Sequence, residues 1–159
     1  MIRIDKNCYL CKYDLKYGYH HLDINDKFKT YLGLCWNENY YVFSVLHFGL
    51  NSAPYVFTKT LRPLVKYWRK HGIRMVLYLD DGWGTHFDLS SCSADASFAL
   101  YTLNKAGFVV SKNKTICKSL LWIGLLWNSE DHSIKVPDET VNDCIDNINS
   151  VYLLSVEDV

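Results

Sequence analysis

Apolar residues return along the chain with two different periods, and each change of period marks an element. Between positions 52 and 72, Phe57, Leu61, Leu64, Val65 and Trp68 recur at steps of three and four, whereas Lys59, Arg62, Lys66, Arg69 and Lys70 fill the opposite side. That spacing predicts a helix with one face in a core and one basic face. Ser52 stands at its N-cap, Ala53 and Pro54 occupy its first turn, and Gly72 ends it. A second helix is predicted from about Ser93 to Lys105, with Ala96, Ala99, Leu100, Leu103 and Ala106 inward and Gly107 past its end. A weaker helix over 138 to 150 follows Pro137.

The remaining apolar runs are short and rich in aromatic and β-branched residues, which predicts strands. One covers 8 to 15 and ends in Asp14. Two more, at 31 to 36 and 40 to 46, are separated by Asn37-Glu38-Asn39, a hairpin signal. A buried strand over 73 to 79 stops at Asp80-Asp81-Gly82 and returns over 83 to 87, and further short strands are predicted near 108 to 110, 120 to 127 and 133 to 136. Elements in this order describe an α+β domain with a mostly antiparallel sheet packed against helices. Too few strands are followed by crossover helices for a doubly wound parallel fold, and no glycine-rich phosphate loop occurs.

Composition then narrows the class. The 159 residues fit one domain, and 49% hydrophobic with 15% aromatic content is enough for a packed core, which excludes disorder and low-complexity structure. Seventeen basic residues balance seventeen acidic ones, which argues against a chain that grips nucleic acid over its whole surface but permits segregated basic patches. The apolar stretches fall short of the ~18 residues that span a bilayer. Arg3, Asp5, Lys6, Lys12 and Asp14 interrupt the region where a signal peptide would be apolar. The expectation is an intracellular protein, cytoplasmic or nuclear, that does not engage membranes and keeps its six cysteines as thiols. Cys8 and Cys11 have zinc-like spacing, but no second close pair follows, and positions three apart on a strand face opposite sides. Cys35, Cys92, Cys117 and Cys144 are scattered and read as small core residues.

The candidate chemistry lies in the carboxylates. Asp14 ends one predicted strand, and Asp80 and Asp81 sit at the tip of another. The plain reading is that Asp81-Gly82 closes a tight hairpin. If the strands over 8 to 15 and 73 to 79 lie side by side, however, three acids converge, and their repulsion calls for cations. Magnesium binds through a few carboxylate oxygens and leaves room for substrate phosphates. Two such ions ~3.5 to 4 Å apart serve phosphoryl transfer by activating the attacking oxygen and neutralising the leaving one.

Three ordered segments carry a family resemblance. Tyr13-Asp14-Leu15-Lys16-Tyr17-Gly18-Tyr19-His20, then Phe48-Gly49-Leu50-Asn51-Ser52-Ala53-Pro54-Tyr55-Val56-Phe57, then Tyr78-Leu79-Asp80-Asp81, resemble the palm motifs of reverse transcriptases. Leu103-Asn104-Lys105-Ala106-Gly107-Phe108, with Lys114 downstream, is similar to the family's next palm motif, and Leu121-Trp122-Ile123-Gly124 to its primer-supporting segment. The resemblance covers about residues 9 to 128. The run from Tyr78 to Gly84 and the helix stretch from Leu61 to Arg69 look closest to the tyrosine-recombinase (DIRS-like) retrotransposons.

What the resemblance implies is a polymerase palm-like fold with a partial fingers hairpin and no thumb, in a single palm-centred domain over 1 to 159. The activity implied is RNA-directed DNA polymerisation, in which a primer 3′-hydroxyl attacks the α-phosphate of a deoxynucleoside triphosphate. Its partners would be an RNA or DNA template with a primer. Asp14, Asp80 and Asp81 would be the catalytic acids and hold two magnesium ions, or manganese in their place, with the Leu15 carbonyl as a further ligand and Asp81 in a less direct role. Tyr19 would gate against a ribose 2′-hydroxyl, Phe48 and Gly49 would line the nucleotide pocket, with Gly49 permitting close backbone approach, and Lys114 would meet the triphosphate. Lys59, Arg62 and Lys66 would hold template phosphates, and Tyr78, Trp122 and Gly124 would contact template or primer.

Rival readings stand beside these: Tyr19 as a core ring, Lys114 as an exposed loop lysine, the basic helix face as merely solvated, and Trp122 as sheet packing. His20 and His21 receive no catalytic role. His47 replaces the proline common in relatives, which would loosen the approach to Phe48. Only 13 residues precede Asp14, and no room for a thumb follows residue 150, so the expectation is a fragment. The alternative function is an inactive palm remnant that only binds nucleic acid or protein. A nucleotidyl cyclase leaves the segment from Phe48 to Pro54 unexplained.

Overall fold

In the computed structural model, which describes residues 4–111 and 115–156 with side chains through 148, the acidic tips are placed by a small antiparallel sheet. β1 (Tyr9–Asp14) leads through a 3-10 turn (Gly18–His21) and a short helix α1 (Asp26–Lys29) into a hairpin of β2 (Gly33–Trp36) and β3 (Asn39–Val42). Helix α2 (Ala53–Lys70) precedes β4 (Met75–Tyr78), β5 (Asp81–His86) and helix α3 (Leu89–Lys105). β6 (Thr115–Cys117), β7 (Ser119–Trp122), β8 (Leu125–Asn128), β9 (Ser133–Lys135) and helix α4 (Asp138–Val156) follow. The main sheet runs β4-β5-β1-β6, all antiparallel, and β7-β8-β9 form a second, three-stranded sheet. No helix among the described residues is long and apolar enough to cross a membrane.

Strand periodicity explains why β1 can lie in the middle. Its alternate residues Cys11 and Tyr13 enter a core with Phe57, Leu61 and Trp68 of α2 and Ala96, Ala99 and Leu103 of α3. Cys8 and Leu10 face the other way, into a cluster with Trp83, Leu120 and Trp122. The two cysteines with zinc-like spacing therefore belong to opposite sides of the sheet.

Helix α2 follows the apolar stripe, with Phe57, Leu61 and Trp68 buried. The Trp68 indole N–H donates to the Thr102 hydroxyl at 2.7 Å, which fixes α2 against α3. Ser52 precedes the helix but makes no side-chain capping bond, and Pro63 sits inside it, where a ring without an N–H removes one helical hydrogen bond. Packing of the apolar face outweighs that loss. Helix α3 begins four residues earlier than the periodicity suggests because Asp88 caps it, accepting from the Ser91 N–H at 2.8 Å and the Ser90 hydroxyl at 2.5 Å. Those bonds hold the Asp88 carboxyl down at about 2.

Several strand expectations are corrected. The segments over 8 to 15 and 73 to 79 are not neighbours, because β5 lies between β1 and β4. The run at 108 to 110 makes only an isolated bridge, Leu15 to Val110. The run at 120 to 127 is two strands, folded back at Ile123 and Gly124, whose φ angles are 45° and 77°. Most telling is Gly82. The Asp81-Gly82 pair does not close the hairpin; Tyr78 pairs with Asp81, so the two-residue loop is Leu79-Asp80 and Gly82 already lies in β5. Gly82 stands opposite Tyr13, and a Cβ there would overlap the fully buried Tyr13 ring. Gly84 is similarly closed in, with Met75 Cγ 2.6 Å from where a Cβ would lie.

The glycine at 82 is thus a packing requirement. Gly82→Ala should cost about 3 kcal/mol through overpacking, seen as a lower urea midpoint at unchanged slope. A cost below about 1 kcal/mol would mean that the Tyr13 ring moves aside freely.

Candidate active site

Backbone pairing brings the acids together. Asp14, the last residue of β1, is directly opposite Asp81, the first of β5. One residue further, the Leu15 N–H donates to the Asp80 carbonyl at 2.9 Å, so the strand end and the hairpin tip are hydrogen-bonded to each other. Asp14, Asp80 and Asp81 are half-buried, and the Asp14 carboxyl is pushed up from its ordinary range, first by burial and then by the charges of Asp80 and Asp81. This is an acidic cluster with incomplete compensation.

Two backbone residues beside the cluster are held in the left-handed region, Tyr17 at φ 71° and Leu79 at φ 54°. Leu79 is the first residue of a two-residue hairpin loop, a position where glycine is favoured, and a branched side chain there costs about 1–2 kcal/mol. The strain sits where the acid is presented.

The acids face different neighbours. A Cβ on Gly18 would lie 3.4 Å from Asp80 Oδ2 and 3.7 Å from Phe48 Cζ, so Asp80 points toward the 3-10 turn. Asp81 faces Lys12, whose ammonium is 3.9 Å from Asp81 Oδ1 and also donates to the Leu121 carbonyl at 3.3 Å. Lys12 lies two residues before Asp14, on the same face of β1. Among the described residues, no three carboxylate, histidine or cysteine side chains close on one ion. Asp14 borders a cavity of about 400 Å³ that Lys12, Ser111 and Leu121 also help to line. One or two carboxylates plus substrate oxygens suit magnesium.

Tyr19 is 6% exposed, with its ring 4.8 Å from Phe48 and edge-on to Phe57 at 5.1 Å. Burial and the Asp80 charge raise its hydroxyl pKa, which ties the ring to the acid electrostatically. Phe48 is 63% exposed and forms the open wall of this corner. Gly49 has φ 88°, a backbone conformation that favours glycine, with open space where a Cβ would point. His47 does not loosen the approach: it stacks on Phe43 at 3.9 Å and its Nδ1–H donates to the Phe48 carbonyl at 2.6 Å.

The other candidates are dispersed. Lys59, Arg62 and Lys66 are exposed on α2, and Arg62 reaches a cleft of about 210 Å³ shared with Leu77 and Leu79 beneath the acidic tip. Tyr78 is exposed on β4 across from Asp81. Trp122 is buried and stacked on Trp83 at 5.4 Å, so its ring is committed to the second core; the neighbouring turn residues Ile123 and Gly124 are the exposed part of that hairpin. Lys114 lies outside the described residues. Lys12 was missed by sequence reasoning, although the period of two along β1 placed it beside Asp14.

Comparison with known proteins converges on one family. Residues 1–136 match the family described as reverse transcriptase (RNA-dependent DNA polymerase). The putative enzymatic polyprotein of Cassava vein mosaic virus is 28% identical over 112 residues, which are 69% of this chain and 17% of that protein. The foamy viral protease-reverse transcriptase in complex with an RNA/DNA hybrid superposes with a TM-score of 0.75 at 19% identity, over 87% of this chain and 18% of that one. The native protease-reverse transcriptase of prototype foamy virus gives 0.69 at 22% identity, over 86% and 17%. The fold is thus the reverse transcriptase palm and fingers fold, and the chain spans about a sixth of the length of these relatives.

The raised Asp14 carboxyl sets a stability test. A carboxyl raised by folding contributes fully below its unfolded pKa and loses that contribution as pH rises through the folded value. In metal-free buffer Asp14→Asn should therefore gain on the order of 1 kcal/mol at neutral pH, after allowance for solvent screening. That corresponds to about 2–4 °C in Tm, and the gain should vanish below about pH 4. An equal Tm at neutral pH would mean that Lys12 already cancels the charge.

Proposed function

The chain belongs to the reverse transcriptase (RNA-dependent DNA polymerase) family, and from that membership we propose that it is the palm of an RNA-directed DNA polymerase, extending a primer on an RNA or DNA template with deoxynucleoside triphosphates. The observation that carries this reading is the convergence of Asp14 with Asp80 and Asp81 across the β1–β5 pairing. Asp14 and Asp80 are proposed to hold two magnesium ions, or manganese, with the Leu15 carbonyl as a further ligand. Cations bound there would supply charge neutralisation at the attacking and leaving oxygens.

The chain's own groups do the rest. Asp81, engaged by Lys12, completes the negative field and stays near the ions without being required as a full ligand. Tyr19 supplies a rigid ring beneath the sugar, where a 2′-hydroxyl would collide with it, and Phe48 with Gly49 forms the facing wall. Lys114 is assigned to the triphosphate. Lys59, Arg62 and Lys66 hold template phosphates, giving affinity without base specificity, and Tyr78 with the Trp122–Gly124 hairpin supports the template-primer end. Foamy viral relatives described in complex with an RNA/DNA hybrid and with dsDNA support nucleic acid as the partner. Residues 1 to 159 are proposed as one palm-centred domain. We place the chain beside the tyrosine-recombinase (DIRS-like) retrotransposons on the runs from Tyr78 to Gly84 and Leu61 to Arg69 alone.

Primer extension on an RNA template with magnesium tests the reading. Asp80→Asn should lower the rate by at least about a hundredfold relative to wild type; equal signals would return the chain to a binding remnant. Tyr19→Val should raise ribonucleotide incorporation relative to deoxynucleotide by about tenfold or more, and an unchanged ratio would restore Tyr19 to a purely structural place in the core.

A further inference from the structure

His21 is tied to two segments that sequence alone leaves far apart. Its Nε2 lies 2.9 Å from the backbone nitrogen of Val109, 88 residues away, and its Nδ1 lies 2.9 Å from the Gly18 carbonyl. A backbone N–H can only donate, so Nε2 must be the acceptor. A carbonyl can only accept, so the ring proton belongs on Nδ1. Both bonds form together only in that neutral tautomer. The ring is half-buried and rests beside Phe108, at 5.3 Å between centroids.

The two tethered segments flank the acids. The Gly18 end belongs to the 3-10 turn that carries Tyr19 and approaches Asp80 Oδ2. The Val109 end belongs to a stretch laid along the end of β1, with the Lys16 N–H donating to the Val109 carbonyl at 2.9 Å and the Ser111 N–H to the Asp14 carbonyl at 2.8 Å. A single side chain thus joins the 3-10 turn that carries Tyr19 to the Val109–Ser111 segment laid along the end of β1.

We infer that His21 is a positioning residue of the nucleotide pocket, holding the Tyr19 turn against the 109–111 segment as an Nδ1-protonated imidazole. The inference deepens the polymerase reading and rests on it for its kinetic consequences. His21 touches no reacting atom; it sets the distance between the Tyr19 ring and the Val109–Ser111 segment, whose Ser111 N–H donates to the Asp14 carbonyl.

Two measurements test it. In the metal-free chain, ¹⁵N spectra of the His21 ring at neutral pH should show a protonated Nδ1 and an unprotonated Nε2; the opposite tautomer or an imidazolium would overturn the inference whatever the activity. In primer extension, His21→Ala should raise the KM for the deoxynucleotide about three- to tenfold, with a smaller fall in kcat and a higher ribonucleotide share. His21→Gln, whose head group offers one donor and one acceptor, should restore most of both. A loss in kcat alone, or no rescue by glutamine in a variant that folds with an unchanged Tm, would overturn the positioning role. A wild type with no magnesium-dependent extension would overturn the polymerase reading and the kinetic role with it, and leave the tautomer to be decided by the spectra.

Discussion

The antiparallel register between β1 and β5 is the constraint on which the site depends. It sets Tyr13 opposite Gly82 and Asp14 opposite Asp81. These are consecutive pairs on opposite faces, so a slip of one residue would drive the acids into the helix-facing core and turn Tyr13 out to the other side. Only a glycine admits the Tyr13 ring where it lies. The steric fit of one pair therefore selects the electrostatic arrangement of the next, and core packing under α2 and α3 holds carboxylates that would otherwise repel one another apart.

That arrangement is held at a local energetic cost. The charged form of Asp14 is penalised by burial and by two neighbouring carboxylates, while Lys12 lowers the penalty only partly. Leu79 and Tyr17 keep left-handed backbone next to the same acids. A sequence selected for stability alone would place glycine at 79 and fewer charges at the strand end. Repulsion and strain are thus gathered at one sheet edge, the edge to which the proposed cation site is assigned.

Much of this was legible in the sequence because it is periodic or local. The apolar stripe of α2, the β2–β3 hairpin, the strand end at Asp14 and the hairpin tip at Asp80 follow from local pattern alone. What was not legible depends on neighbours distant along the chain. The insertion of β5 between β1 and β4 reverses no pattern in either strand. The Asp81-Gly82 pair carries a strong turn signal, yet Tyr13 needs that glycine for space, and the turn moves to Leu79-Asp80. The start of α3 was misplaced because Asp88, an exposed capping acid, outweighs an apolar period that begins only later. The split at Ile123-Gly124 was blurred because a continuous apolar run conceals a two-residue turn, whereas the strand near 133 to 136 lies where its pattern put it. His21 gave no signal because its deciding partner, the Val109 N–H, lies 88 residues away and is set by the tertiary fold.

The walls of the pocket differ in how firmly the fold defines them, and that difference bears on selectivity. Tyr19 is 6% exposed and braced edge-on by Phe57, a residue of the deepest core, so its ring cannot move without disturbing α2. Phe48 is 63% exposed and is met by two ring neighbours, Tyr19 at 4.8 Å and His20 at 5.7 Å, at the end of a segment anchored through His47 and Phe43. A rigid wall is the one able to reject a single extra hydroxyl, because rejection fails if the wall yields by an ångström. In the proposed polymerase, sugar discrimination thus falls to the buried tyrosine, the wall whose packing suits that task.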